Sequence, residues 1–309
     1  MSYLVTGATG FIGSYVIRQL LDEGEIVVGH DRRWPGVLPD LLGKDYESVI
    51  AVNGDVSDFP HLVRIVREHH VERIIHLAGE LHDRSAENPG ACIASNVLGT
   101  HNVLELGRVA DVTRIVTASG AAIFGSVENH PPGPLPNDAR LYAGDVYEAS
   151  KIFGESEGEF YFKRFGVDNV AVRVGLAYGW GCTIGSAFRL VNELIDKPLR
   201  GEPGNVPWGD AVMNWSYVID AADAFVRASR AKTTTTFAYN LRGDCRPIQE
   251  AVGIARKLIP GAQIEAVPGG HRWAQDFDDS VIRAELGFVP AWSLEAGLED
   301  TIRRIRAAG

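Results

Sequence analysis

The sequence predicts an α/β fold, a doubly wound Rossmann-type parallel sheet with a smaller C-terminal substrate lobe. Three observations carry this. Short β-rich runs alternate with helical patterns through the first half of the chain. Three glycines, Gly7, Gly10 and Gly13 in "TGATGFIGS", stand between the first such run and the first helical pattern. After Gly179 the alternation stops.

Taken in order, the first strand is read at Tyr3–Val5. In the loop that follows, the first glycine permits a tight turn, the second a close backbone approach to a pyrophosphate, and the third packing of the helix on the sheet. The helix Tyr15–Asp22 then aims free N–H groups and the positive end of its dipole at the phosphates. Gly7, Thr9, Gly10, Phe11, Ile12 and Gly13 form the expected dinucleotide cradle; the competing reading is a plain structural turn. The second strand, Glu25–His30, is closed by Asp31, an acid placed to accept hydrogen bonds from an adenosine ribose and to favour NAD. Arg32 and Arg33 complicate this, because a guanidinium there pairs with a 2′-phosphate unless both are solvated loop charges. Strand Ser48–Val52 leads to "GDVSD", where Asp55 and Val56 either meet the adenine or make an Asx turn. Helix Pro60–His69, strand Arg73–Leu77, helix Asn96–Val109, strand Arg114–Ala118, helix Tyr147–Phe165 and strand Asn169–Val174 complete the alternation. Beyond them lie a helix near Ser186–Asp196, a glycine- and proline-rich loop at Gly201–Gly209, and a terminal helix from Leu294. Residues 1–175 are expected to form the NAD-binding domain, with return segments within about 211–241, at Asn214–Arg230 and Phe237–Leu241. Residues 176–210 and 242–309 form the expected substrate lobe.

Composition narrows the function. Hydrophobic residues make up 45% of the 309 and charged residues 23%, enough for a sizeable core. A formal net charge of −10 argues against nucleic acid or an anionic membrane surface as the main partner. No run is long enough to span a bilayer. The opening lacks a basic n-region, and glycines and Arg18 break its apolar run, so it does not read as a signal peptide. Cys92, Cys182 and Cys245 suit neither a disulfide framework nor a zinc site, and a cytoplasmic location is expected. The histidines show no metal-ligand spacing, so no metal is expected.

Tyr147 and Lys151, in "YEASK", are four residues apart and share a helix face. An ammonium beside a phenol favours the phenolate, and such a tyrosine takes a proton from an alcohol as hydride leaves, or returns it to a carbonyl. The tetrad alone is weak, but it does not stand alone. "TGATGFIG", Asp31, "GDVSD", "HLAGE", "NVLGT", "ASGAAIFG" and "YEASK" occur in one order. With them the chain resembles the extended short-chain dehydrogenase/reductase family, in its NAD-dependent sugar epimerase/dehydratase group; "GEPGNVPWGD" and "NWSYVIDAADA" resemble its second-lobe signature. The resemblance implies that Tyr147 is the general acid/base and that Lys151 holds the nicotinamide ribose and lowers the tyrosine pKa. It implies that Asn96 and Leu77, Ala78 and Gly79 line NAD. It also implies a homodimer through the helices Asn96–Val109 and Tyr147–Phe165.

The chain departs from that pattern in places. The family carries a serine or threonine five residues before the glycine that is here Gly125; that place is Gly120. A one-residue bulge would bring Ser119 to the substrate oxygen, making it the third catalytic candidate; otherwise Ser126 or water substitutes, or the hydroxyl is missing. Ala121 and Ala122 replace the Asp-Glu pair of the dehydratase branch, which argues against dehydration. Leu176 and Met213 replace the asparagine and arginine that serve nucleotide sugars, and methionine cannot pair with a phosphate. His82, Arg84, Arg140, Arg189, Asn214 and Trp215 are the alternative substrate anchors, each also readable as an ordinary loop residue. Trp34, Trp180 and Trp208 are read as loop aromatics near the cleft, suited either to sugar stacking or to packing. The expected activity is an NAD-dependent oxidoreductase/epimerase acting on a secondary hydroxyl of a carbohydrate-like small molecule. A dehydrogenase of a free sugar, sugar acid or hydroxy acid is the alternative, and a dinucleotide-sensing regulator the alternative of another class.

Overall fold

The computed structural model describes residues 1–232 and 234–308. Twelve strands are present among them: β1 Ser2–Thr6, β2 Ile26–Asp31, β3 Ile50–Asn53, β4 Arg73–His76, β5 Arg114–Gly120, β6 Asn169–Val174, β7 Leu176–Tyr178, β8 Gly204–Val206, β9 Val212–Tyr217, β10 Ala238–Asn240, β11 Asp244–Pro247 and β12 Ile264–Ala266. The principal helices are α1 Phe11–Asp22, α2 Phe59–Glu68, α3 Gly99–Val109, α4 Val146–Phe165, α5 Gly185–Val191, α6 Val218–Arg230, α7 Ile248–Leu258, α8 Ser280–Leu286 and α9 Leu294–Ala308. The main sheet has the order β3-β2-β1-β4-β5-β6-β10, and every pairing in it is parallel.

Strand alternation explains the two cores. Tyr3, Val5, Ile75 and Val116 face α1 and α6, while Leu4, Ile74 and Ile115 face α2 and α3. Both faces are dry, so the strands are nearly continuous apolar runs. Strand ends differ from the sequence reading by one or two residues. Helix α1 begins earlier, at Phe11, and the helix read from Asn96 opens as a π turn, Ile93–Leu98. A second π turn, Asn192–Asp196, ends the helix read near Ser186–Asp196.

A smaller sheet has the order β11-β9-β7. The segment Asn214–Tyr217 belongs to this sheet and not to the main one; the return begins at α6, and β10 then pairs with β6. The Gly201–Gly209 loop contains β8, which pairs with β12. Its glycines mask a strand of only three residues. Among the described residues no helix is long and apolar enough to cross a membrane.

Two histidines are sealed under the sheet. His76 bonds the Thr6 and Thr100 hydroxyls at 2.7 and 3.3 Å. His30 is 1% exposed, and neither ring nitrogen has a hydrogen-bond partner. Burial lowers His30 to about 4, helped by His61 and opposed by Asp31; burial lowers His76 to about 3. Both groups bind fewer protons folded than unfolded, so stability is full above their unfolded pKa and is lost as pH falls below it. Urea unfolding should show a drop of roughly 2 kcal/mol per histidine between about pH 7 and about pH 5. A stability independent of pH over that range would mean that the imidazoles are not sealed.

Candidate functional site

The glycine loop is closed on itself. Gly7 has φ +70°, and the Gly7 and Ala8 amides both donate to His30 O, at 3.0 and 3.4 Å. A Cβ on Gly13 would lie 2.1 Å from Gly7 O, and one on Gly7 would lie 2.7 Å from Ala78 N. No larger residue fits at either place. Helix α1 starts after Gly10 with no side-chain cap and no acid in its first turn. Its free N–H groups, beginning with those of Phe11 and Ile12, therefore make a cradle that fits an anion such as a pyrophosphate.

Around this cradle the predicted cofactor residues converge. Asp31 Oδ2 accepts from Thr9 N and Oδ1 from Arg33 N, both at 3.1 Å. Each oxygen keeps a further lone pair for a ribose hydroxyl. Asp55 accepts from the Ser57 amide and hydroxyl at 2.9 and 2.8 Å. Burial opposes its ionisation, but Ser57 and Arg32 together hold it below the usual carboxylate range. Val56 is a packing residue whose side chain abuts Gly99 and whose carbonyl accepts from Asn102 at 2.9 Å. Leu77 N donates to Thr6 O and Ala78 N to the Thr6 hydroxyl. Arg32, though exposed, is paired with Glu80 at 2.6 Å and lies 3.6 Å from Asp55. Asn96, buried, accepts from Glu80 N at 2.7 Å and donates to Glu80 O at 3.0 Å and Ser150 Oγ at 3.1 Å.

Tyr147 and Lys151 lie in the first turns of α4, which Asp145 caps through Glu148 N. A Cβ on Gly79 would stand 3.5 Å from Lys151 Nζ, so the lysine is beside the loop after β4. Lys151 Nζ donates to Ala118 O at 2.9 Å and sits 5.8 Å from the Tyr147 ring centre. In the chain alone, burial works against the expected lowering of the phenol. Burial pushes Tyr147 up to about 12, with Cys92, Asp145 and Glu148 adding to it, and burial lowers Lys151 to about 8. One ammonium at this distance does not outweigh desolvation.

Ser119 does not come round. The β5–β6 register runs unbroken through Ser119↔Arg173 and Gly120↔Val174, so there is no bulge. It is Gly120 whose Cβ would meet Tyr147 Oη, at 3.0 Å; alternation sends Ser119 to the other face, where its hydroxyl is buried and unpartnered. Asn214 is also spent. Its Nδ2 donates to Leu241 O at 2.9 Å and its Oδ1 accepts from Gly243 N at 2.6 Å, so it staples the small sheet. Trp215 is buried and donates to Arg246 O; Met213 and Leu176 are buried apolar residues of the small sheet. Trp34 donates to Val52 O.

His82 stands beside Tyr147, and Arg189 joins a run of aromatic side chains that leads toward it. His82 Nε2 is 2.7 Å from Asp145 Oδ2, and its ring stands edge-on to Tyr147 at 6.2 Å and to Trp273 at 4.9 Å. Arg189 lies over the Trp208 ring at 5.5 Å, and Trp208 meets His271 at 4.8 Å. Three groups the sequence reading passed over complete this wall: Glu148, His271 and Trp273. Glu148, fully buried, accepts from Trp273 Nε1 at 2.7 Å and Gly144 N at 2.5 Å. Glu148 was printed inside "YEASK", but its partner is 125 positions away. His82, Asp145 and Glu148 have ligand atoms within 4.8 Å of one another. Asp145 pairs with His82 and caps Glu148 N, while Glu148 accepts from Gly144 N and Trp273.

With this geometry in hand, the chain compares with known proteins as follows. Residues 3–241 match the model of the "NAD dependent epimerase/dehydratase family". A dTDP-glucose 4,6-dehydratase of Xanthomonas campestris is 28% identical, covering 97% of this chain and 92% of the relative. The structure of a Thermus thermophilus UDP-glucose 4-epimerase in complex with NAD superposes with TM-score 0.86 at 25% identity, covering 100% of both chains. An L-threonine dehydrogenase from Cupriavidus necator shares the fold at TM-score 0.87 and 24% identity, over 99% of this chain and 100% of that one.

Because Ser119 faces away from Tyr147, Ser119→Ala should keep turnover within about threefold, where loss of a true polarising donor costs on the order of 10²–10³. A loss of that larger size would return Ser119 to the reacting centre.

Proposed function

The chain belongs to the NAD-dependent epimerase/dehydratase family, and from that premise we propose that it reversibly oxidises a secondary hydroxyl of a carbohydrate-like substrate, in the manner of a sugar epimerase. The observation that carries this reading is the placement of the Tyr147 hydroxyl opposite Gly120, with Lys151 one turn on and beside Gly79. Tyr147 Oη takes the substrate proton in one direction and returns it in the other. Lys151, fixed by Ala118 O, keeps a positive charge near the developing phenolate. When bound, NAD supplies the hydride acceptor and a further positive charge. His82, oriented by Asp145, and Arg189 on Trp208 are the side chains placed to meet substrate hydroxyl or anionic groups.

Ala121 and Ala122 follow Gly120 with no carboxylate, which supports oxidation without loss of water. A second reading, a dehydrogenase of a free sugar, sugar acid or small hydroxy acid, is favoured by one observation. Met213 and Leu176 are packed into the apolar core, so neither offers a diphosphate a cation or an amide. The presence of both Tyr147 and Lys151 speaks against a purely regulatory protein. We also propose a homodimer. Phe153, Phe160 and Phe165 on α4, with Ile93, Leu98 and Val109 on the neighbouring π turn and α3, are exposed apolar residues that a second copy would cover.

Incubation with NAD and a panel of sugars, sugar acids and nucleotide sugars separates the readings. Accumulating reduced cofactor marks a dehydrogenase, and stereochemical conversion without it marks an epimerase. Tyr147→Phe should lower turnover by roughly 10²–10⁴ while NAD still binds; unchanged turnover would sink the mechanism. Phe160→Glu should shift the protein from dimer to monomer in light scattering, and a dimer that persists would place the interface elsewhere.

A further inference from the structure

We infer that Glu80 is a specificity-determining residue, which withholds Arg32 from the ribose edge of the dinucleotide site so that NAD is favoured and a 2′-phosphate finds no cation. Arg32 directly follows Asp31 and is the side chain best placed by sequence to pair with such a phosphate. Instead its Nη2 lies 2.6 Å from Glu80 Oε1 and its Nη1 lies 3.6 Å from Asp55 Oδ2. Glu80 reaches it from the loop after β4, across the glycine cradle.

Glu80 is not free to follow Arg32 elsewhere. Its backbone is held at both ends by the Asn96 amide, at 2.7 and 3.0 Å, and Asn96 is in turn tied to Ser150 of α4. The carboxylate is 10% exposed. Without Arg32 it would keep only Arg84, at 3.8 Å. Pulling Arg32 toward a 2′-phosphate therefore strands a buried charge, a costly change. Asp31 adds repulsion from a carboxylate fixed by the Thr9 and Arg33 amides. The exposed Arg33 side chain is the other cation at this edge, with no acid in ion-pair range among the described residues, and the test must separate the two.

Dissociation constants for NAD and NADP, read by calorimetry, need no substrate and so stand apart from the substrate reading above. In E80Q, NADP affinity should rise roughly tenfold as Arg32 is released to a charged acceptor, with NAD nearly unchanged. The gain should vanish in R32A/E80Q and survive in R33A/E80Q. R32A alone should leave wild-type NADP affinity where it is, since Arg32 is already committed; this exposed variant decides the matter if E80Q does not fold. An unaltered NADP affinity in folded E80Q, a gain that depends on Arg33, or a loss of NADP affinity in R32A would each overturn the inference.

Discussion

The site hangs on one buried amide. Asn96 spends its oxygen on Glu80 N and its nitrogen on Glu80 O and Ser150 Oγ, with Cys92 Sγ at 3.4 Å. It thereby joins the loop after β4, which lies under the dinucleotide cradle, to the helix that carries Tyr147 and Lys151. A buried amide with all its groups engaged is rigid, and one with a partner removed is costly. The π turn Ile93–Leu98 is what rotates Asn96 inward; a regular helix there would present a different face. The position of Tyr147 and Lys151 relative to the glycine cradle is thus tied to Asn96.

Much of this was legible in the sequence because it is local. The Gly7–Gly13 spacing, the acid closing β2, and the Tyr147–Lys151 pair are read within a strand, a turn or one helix face. The order of the main sheet follows from strand–helix alternation. What sequence reading missed depends on pairings far apart in the chain. Trp273 and Glu148 meet only because a loop of the C-terminal part crosses beside α4, with Ser126 and Trp273 forming a bridge. Asn214 looked like a free polar residue and is a staple. Ser119 looked one residue out of place, and strand alternation, which allows no half-turn, puts it on the wrong face.

The electrostatics follow the same division. The chain carries a net charge of −10, while its buried titratable groups are mostly paired or pushed toward neutrality by burial. His30 and His76 are held neutral, Tyr147 is held protonated, and Lys151 is eased toward neutrality.

The late return of α6 and β10 to the main sheet has a consequence for how the chain is made. Ala221, Ala224 and Phe225 of α6 are fully buried against the same core as Val5 and Val116, and β10 covers the outer edge of β6. Until about residue 240 has emerged from the ribosome, one side of the dinucleotide domain lies bare and its last strand is unpaired. Closing the main sheet therefore needs contacts between segments far apart in the chain, the kind of closure that is slow. More than three quarters of the 309 residues are made before the main sheet can be completed, and partly built sheets of this kind expose apolar surface and unpaired edges.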